Sequence, residues 1–387
     1  MRYLDHAATT PVRPEVVEAM LPHLTTRYGN PSSHHELGER AAEALDDARR
    51  RVAAVLGMRK GDVIFTSGGT EANNLAVKGI TIAALLDRGA RHLVTTPIEH
   101  ESVLASAEYL ERVHGVEVTM LPVDAAGRVA PDAVAAAVRA DTALVAIGYA
   151  NNEIGTVQDV PAIAAAIGAA AAALGAPRPA LHLDAVQAAG WLPLDMRELG
   201  SDAIAIAGHK LGAPSGTGAL GVRGRVPLEP LLHGGGQERG RRSGTESVAN
   251  AVGLATALEL AEAERAAEAG RVAAARDAFI HRVLDLVPEA RLTGDPVERL
   301  PGTASFTFAG VSGETILLEL ERRGIVSSSG SACAAGSDEP SHVLLALGIA
   351  PEVAQTSVRF TLPHRLDAPL EPVADAVAEA VAALRRR

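Results

Sequence analysis

Short runs of small or β-branched apolar residues recur along the first 225 residues. Each is followed by a longer stretch whose apolar positions return every three or four residues. The first pattern belongs to buried strands and the second to amphipathic helices. Strands are predicted at 63–66, 91–96, 116–121, 142–148, 180–183 and 203–207, after a short strand and turn within 1–12. Helices are predicted after Pro14, at 39–56, behind Thr70, from Ser102, at 131–139 and at 161–174. In the helix at 39–56, Ala41, Ala44, Leu45, Ala48, Val52 and Val55 share one face. Segment 28–38 reads as a loop, and so does the stretch behind Lys210 that carries Gly212, Gly216, Gly218 and Gly221. Strands alternating with helices at this spacing predict a mostly parallel sheet covered on both faces. In such sheets ligands bind beyond the carboxyl ends of the strands. Thr70, His100, Asn152, Asp184 and Lys210 all fall at such ends.

After residue 225 the pattern changes. Residues 233–247 form a basic, glycine-rich loop, and a long helix at about 248–287 follows. The remainder reads as strand (303–308), helix (313–323), strand (325–328), loop (329–340), helix (341–347), strand (356–362) and helix (368–386). The fold class expected is therefore α/β with a second, smaller α+β part. The expected division is a large domain at 15–255 and a small one at 256–387 that also takes residues 1–14. No internal repeat is present.

Composition narrows the setting. A length of 387 residues fits about two domains. With 47% hydrophobic and 21% charged residues, a sizeable core is possible. A net charge of −11 argues against a nucleic-acid partner. The only cysteine, Cys333, excludes an internal disulfide and points to a reducing compartment. The N-terminal residues lack the apolar stretch of a signal peptide, and no apolar run nears the roughly 20 residues that cross a bilayer. A cytoplasmic location without membrane contact is expected. The 13 histidines are scattered without metal-ligand spacing, so no metal is expected.

The candidate chemistry centres on Lys210. It follows the buried run Ala203–Ala207 and is one of three lysines, with Lys60 in a polar turn and Lys78 expected at the polar end of a helix. Burial disfavours an ammonium, and a neutral amine is a nucleophile able to form a Schiff base. An ordinary surface lysine is the alternative, and its partners decide. Ser67-Gly68-Gly69-Thr70 joins a strand to a helix, the arrangement in which first-turn N–H groups and the helix dipole bind phosphate. It is neither a Walker loop nor a dinucleotide fingerprint, so a small phosphorylated cofactor fits. A plain turn with a threonine cap is the alternative there. Asp184 could pair with a protonated pyridine nitrogen, as pyridoxal phosphate requires. His100 could stack on that ring and move protons, and Gln187 could reach its hydroxyl. Cys333 lies in Ser327-Ser328-Ser329-Gly330-Ser331-Ala332-Cys333, a run of small residues that suits a nucleophile better than a core thiol. Arg359 could clamp a substrate carboxylate or serve in a structural ion pair.

These residues fall into a recognisable set. The chain resembles the cysteine desulfurases of the NifS/IscS-like group, fold-type I pyridoxal phosphate enzymes of the class-V aminotransferase family. The likeness runs nearly end to end through Tyr3-Leu4-Asp5, Tyr28-Gly29-Asn30-Pro31, Thr70-Glu71, Asn151-Asn152-Glu153-Ile154-Gly155, Gly208-His209-Lys210, Arg242-Ser243-Gly244-Thr245 and Ser331-Ala332-Cys333. Glu339-Pro340-Ser341 after the cysteine marks the long-loop class. The resemblance implies that Lys210 carries the cofactor. It implies phosphate binding by Gly69, Thr70 and His209, with Thr245 reaching in from the partner of a homodimer. Asp184 would meet the pyridinium, His100 would stack, Gln187 and Asn152 would contact the ring oxygen region, and Asn152 with Arg359 would hold the substrate carboxylate. L-cysteine would become alanine, with its sulfur left on Cys333 as a persulfide for an acceptor protein, an iron–sulfur scaffold or a thiolation enzyme.

Two departures stand out. Ala207 occupies a position where many members carry a serine that contacts the phosphate. The chain also ends at Arg387, soon after its last predicted helix, where some members continue into a scaffold-docking tail. A selenocysteine lyase or another aminotransferase-family enzyme is the alternative within the cofactor class. A non-catalytic sulfur carrier that kept the fold is the alternative outside it.

Overall fold

The computed structural model describes residues 1–330 and 339–386. The expected nucleophile Cys333 therefore lies outside the described residues. The strands are β1 (Arg2–Tyr3), β2 (Val63–Thr66), β3 (His92–Thr95), β4 (Glu117–Met120), β5 (Thr142–Gly148), β6 (Ala180–Asp184), β7 (Ala203–Ala207), β8 (Gly218–Val222), β9 (Ala290–Leu292), β10 (Thr303–Phe308), β11 (Ile325–Val326) and β12 (Ser357–Thr361). The helices are α1 (Pro14–Leu24), α2 (Glu36–Val55), α3 (Gly69–Arg88), α4 (Glu101–His114), α5 (Pro131–Ala137), α6 (Val160–Ala173), α7 (Met196–Leu199), α8 (Val248–Leu286), α9 (Gly313–Arg322), α10 (His342–Ala346), α11 (Pro351–Ala354) and α12 (Glu371–Arg385).

Seven strands form one sheet in the order β2-β8-β7-β6-β5-β3-β4. The pairs β7–β6, β6–β5, β5–β3 and β3–β4 are parallel, as the alternating pattern predicts. The exception is β8. Its residues were expected within a glycine-rich loop, yet they form a fully buried strand antiparallel to both β2 and β7. The reason is space rather than turn geometry. A Cβ on Gly218 would stand 2.6 Å from the backbone of Gly68, and one on Gly221 would stand 2.6 Å from the Met58 sulfur. Because β8 runs against both neighbours, β2 points the same way as β7. The carboxyl ends of β2, β3, β5, β6 and β7 therefore lie along one edge of the sheet. Gly218→Ala is expected to cost about 1–3 kcal/mol through overpacking. Thermal unfolding of that variant checks it, and an unchanged midpoint would sink the packing argument.

Two smaller sheets complete the chain. One has the order β12-β10-β9, and the other pairs β1 with β11. Helix α8 has 39 residues and is about 60 Å long. Its first half (Val248 to Ala261) is buried in the core under the main sheet, and its second half (Val272 to Val283) in a separate core with Phe306, Phe308 and Phe360. One helix thus carries apolar residues into both cores. Helix α2 begins at Glu36, inside the expected loop, because the His35 imidazole caps it by accepting the Gly38 N–H at 3.2 Å.

Candidate active site

A cavity of about 710 Å³ opens at the carboxyl edge of the main sheet. Gly69 and Thr70 line it from the start of α3, His100 from the start of α4, Asn152 from the loop after β5, Asp184 and Gln187 from the end of β6, and His209 and Lys210 from the turn after β7. Arg359 of β12, in the three-stranded sheet, lines it as well. Nine residues singled out in the sequence thus share one space. Thr245 does not. It is exposed on the loop before α8 and is absent from the cavity wall of its own chain.

The anion-binding end comes from β2 and α3. Gly68, not Thr70, is the N-cap residue of α3, with φ 154°. Thr70 instead stands in the first turn, beside free N–H groups. Glycine is needed at 69, where a Cβ would lie 2.7 Å from Val186 Cγ2 and 3.3 Å from Ala207 Cβ. Ala207 therefore sits directly beneath the turn. Glu71 accepts the Ser67 N–H at 2.7 Å and pairs with Arg242 at 2.8 Å. Burial alone would raise the Glu71 pKa, but the hydrogen bonds from Arg242 and Ser67 hold it below the usual range. That pair draws the basic loop over the helix end.

Lys210 follows β7 in a short turn, Gly208–Lys210. A Cβ on Gly208 would collide with Thr217 Oγ1 at 2.1 Å. The Lys210 Nζ donates to the carbonyls of Ala7 and, at 2.7 Å, Ala8. The N-terminal segment is thus what aims the amine. The other two lysines are engaged elsewhere. Lys60 pairs with Asp46 at 2.9 Å, and Lys78 lies mid-helix over the Tyr109 ring. Burial and the neighbouring Lys210 charge push the His209 pKa down to about 4, so its imidazole is neutral at neutral pH.

Asp184 accepts from Asn73 Nδ2 at 2.7 Å and from the Val186 N–H at 3.0 Å. His100 is the N-cap of α4, and its Nδ1 accepts the Ser102 N–H at 3.0 Å. Gln187 Nε2 donates to the Ala7 carbonyl at 3.2 Å, which fixes the amide with its oxygen turned away from that bond. Arg359 is 1% exposed. Its Nη2 pairs with Asp5 at 2.7 Å, and its Nη1 donates to the carbonyls of Asn152 at 2.8 Å and Gly330 at 3.1 Å. Both expected fates of this arginine are therefore present, an ion pair and a place at the cavity. Its buried Nε–H has no partner among the described residues, so the guanidinium keeps a donor for a further acceptor.

The sequence pattern missed several residues here. Glu99 lines the cavity and is 4% exposed. Burial, with the Asp184 charge adding to it, pushes its pKa up to about 8, so it is largely protonated at neutral pH. It accepts the Thr96 hydroxyl at 2.6 Å. Glu153, also pushed up by burial, accepts the Ser341 hydroxyl at 2.5 Å. Asn73 and Asp5 are two more. None has a spacing signal, because each gains its place only from the packing of elements distant in sequence.

This fold, with a lysine after a buried strand and a carboxylate at the end of the adjacent strand, belongs to a known class. The family model for class-V aminotransferases matches residues 2–365, and the chain belongs to that family. It is 44% identical over 363 residues to a cysteine desulfurase IscS of Dictyoglomus turgidum, covering 93% of this chain and 89% of that protein. The solved structure of a NifS-like protein matches over 100% of both chains, with a TM-score of 0.89 at 34% identity. That of SspA in complex with cysteine matches 95% of this chain and 100% of the other, with a TM-score of 0.79 at 34% identity. The fold is that of a fold-type I enzyme, a mostly parallel sheet flanked by helices with a smaller α+β part.

Proposed function

We propose that this chain is a pyridoxal phosphate-dependent cysteine desulfurase that converts L-cysteine to L-alanine and leaves the sulfur on Cys333. The observation that carries the reading is the convergence of Lys210, Asp184, His100 and the Gly69-Thr70 turn on one cavity. The site also fits the cofactor chemically. It offers a helix N-terminus for the phosphate, a carboxylate for a ring nitrogen, a flat imidazole and an aimed amine. When bound, the cofactor supplies an electron sink for negative charge at the substrate Cα.

The chain's residues have these parts. Gly69, Thr70 and His209 would hold the phosphate. Asp184 would keep the ring nitrogen protonated, His100 would lie against a ring face, and Gln187 with Asn152 would meet the ring oxygen. Lys210 would carry the cofactor at rest and, once displaced by substrate, take the Cα proton. Arg359 would offer its Nε–H edge, unpartnered among the described residues, to the substrate carboxylate, with Asn152 beside it. The Cys333 thiolate would then attack the substrate sulfur. An S–S bond forms, the C–S bond breaks, its electron pair returns to the substrate carbon framework, and protonation yields alanine.

The same reading covers the setting. We propose a homodimer in which the exposed Thr245 serves the partner's phosphate site. We propose a division into residues 15–255 and 256–387 with 1–14, supported by the two separate cores. Among the described residues no helix is long and apolar enough to cross a membrane. A cytoplasmic site of action, with delivery to an iron–sulfur scaffold or thiolation enzyme, is part of the proposal.

The test is direct. Purified protein is mixed with L-cysteine and a thiol reductant, and alanine and sulfide are quantified together. Equal amounts are expected. Alanine without sulfide would refute the desulfurase reading, and so would a colourless protein that takes up no cofactor. A preference for selenocysteine over cysteine would favour the lyase alternative. The phosphate end has its own test. Ala207→Ser places a hydroxyl beneath the Gly69 turn. One hydrogen bond to a charged group contributes about 1.5–3 kcal/mol, so the cofactor's dissociation constant should fall by about ten- to a hundredfold. Absorbance titration checks this, and an unchanged constant would place the hydroxyl out of reach of the phosphate.

A further inference from the structure

Asn73 lies on α3, three residues beyond Thr70 and so on the same helix face one turn on. It is 1% exposed. Its Nδ2 donates to Asp184 Oδ2 at 2.7 Å and to Ser102 Oγ at 2.9 Å. Its Oδ1 faces His182 Nε2 at 3.0 Å. Chemistry fixes this orientation. A carboxylate offers only lone pairs, so the amide nitrogen must face Asp184. The amide oxygen then faces His182, whose Nε2 must carry the ring proton. Burial pushes the His182 pKa down to about 4, so that ring is neutral with one proton to give.

The chain of bonds continues to His100. Ser102 Oγ accepts from Asn73, which leaves its own proton for His100 Nδ1 at 2.8 Å. Nδ1 also takes the Ser102 N–H. His100 Nδ1 is therefore an acceptor, and the neutral ring carries its proton on Nε2.

We infer that Asn73 is a positioning residue that holds the Asp184 carboxylate and, through Ser102, the His100 imidazole in one hydrogen-bonded unit whose spacing from the Gly69-Thr70 turn is set by α3. This rests on the cofactor reading above. One rigid helix would then gauge both ends of the cofactor, the phosphate at its first turn and the ring nitrogen through the amide three residues later, about 4.5 Å further along.

The test uses the holoenzyme with Asn73→Leu, which keeps the volume but removes both donors, and Ser102→Ala, which cuts only the His100 arm. Three quantities are read: the dissociation constant of pyridoxal phosphate, the pH midpoint of the bound cofactor's absorbance, and kcat against KM for L-cysteine. Asn73→Leu is expected to weaken cofactor binding about tenfold. It should also move the absorbance midpoint by about half a pH unit or more and lower kcat more than it raises KM. Ser102→Ala should lower kcat while the dissociation constant stays within about threefold of the parent. A folded Asn73→Leu protein with the parent's dissociation constant and absorbance midpoint overturns the inference. If that variant does not fold, an unchanged kcat in Ser102→Ala overturns it. A parent protein that binds no pyridoxal phosphate overturns the cofactor reading itself, a different result from a yellow parent with unaffected variants.

Discussion

Lys210→Ala is expected to abolish turnover of L-cysteine and to remove the visible absorbance of the covalently held cofactor. Two losses combine. The nucleophile that anchors the cofactor disappears, and so does the base that takes the Cα proton. Removing a positioned general base alone lowers rates by about 10²–10⁴-fold. Neither of the other two lysines is placed to take over. Lys60 and Lys78 are engaged away from the cavity with Asp46 and Tyr109. His209, the adjacent residue, bonds outward to Thr9 at 3.3 Å. The Ala8 carbonyl would lose the Nζ donor and that of Ala7 would keep Gln187 alone, so a modest loss of stability should accompany the loss of activity. The measurements are single-turnover alanine formation and the absorbance spectrum after addition of pyridoxal phosphate. A variant that kept the parent spectrum and more than about a tenth of the parent rate would show that another amine holds the cofactor.

The mostly parallel character of the main sheet and the location of its ligand edge were legible because each buried run ends in a residue that cannot continue it. Ala203–Ala207 stops at Gly208, 180–184 stops at an aspartate, and 63–66 runs into two glycines. Apolar runs and punctuation are local signals, and they were enough to place Thr70, His100, Asn152, Asp184 and Lys210 along the edge where the cavity opens. What stayed hidden depends on contact across the fold. Gly218 and Gly221 read as loop residues because glycine most often signals turns. In the structure they are places where β8 lies against Gly68 and Met58 too closely for a side chain. Asn73 sits in a helix that already carries the stronger Gly-Gly-Thr signal, so its polar side chain draws no notice until His182, Asp184 and Ser102 close around it. Glu99 stands beside the conspicuous His100, and only burial against Thr96 and Asp184 makes its carboxyl unusual. Asp5 was visible as part of a resembling motif, but its pairing with Arg359 joins residues 354 positions apart. The strong motifs marked the site's outline, and tertiary packing supplied the residues that orient it.

Cys333→Ser is expected to stop sulfur transfer while leaving the cofactor in place. Cys333 itself lies outside the described residues, but the residues on either side of its segment stand at the cavity. Gly330 gives its carbonyl to Arg359 Nη1 at 3.1 Å, and Glu339 and Pro340 line the wall. Ser341 is held by Glu153, whose Oε2 also lies 3.5 Å from where a Cβ on Gly330 would be. Glu153 thus holds one flank by a hydrogen bond and lies beside the other. Arg359 links one of them to the proposed substrate carboxylate site. A serine hydroxyl is a far weaker nucleophile at neutral pH than a thiol that is a few per cent ionised, and it cannot store sulfur as a persulfide. Sulfide and alanine release under reductant should therefore fall by about 10³-fold or more. The cofactor's absorbance and its shift on adding L-cysteine should persist, because Lys210, Asp184 and Arg359 are untouched. The contrast with Lys210→Ala matters, since that variant loses the colour and this one keeps it. Sulfide release at the parent rate from Cys333→Ser would mean that the substrate sulfur leaves without passing through this chain, and the persulfide route would have to be abandoned.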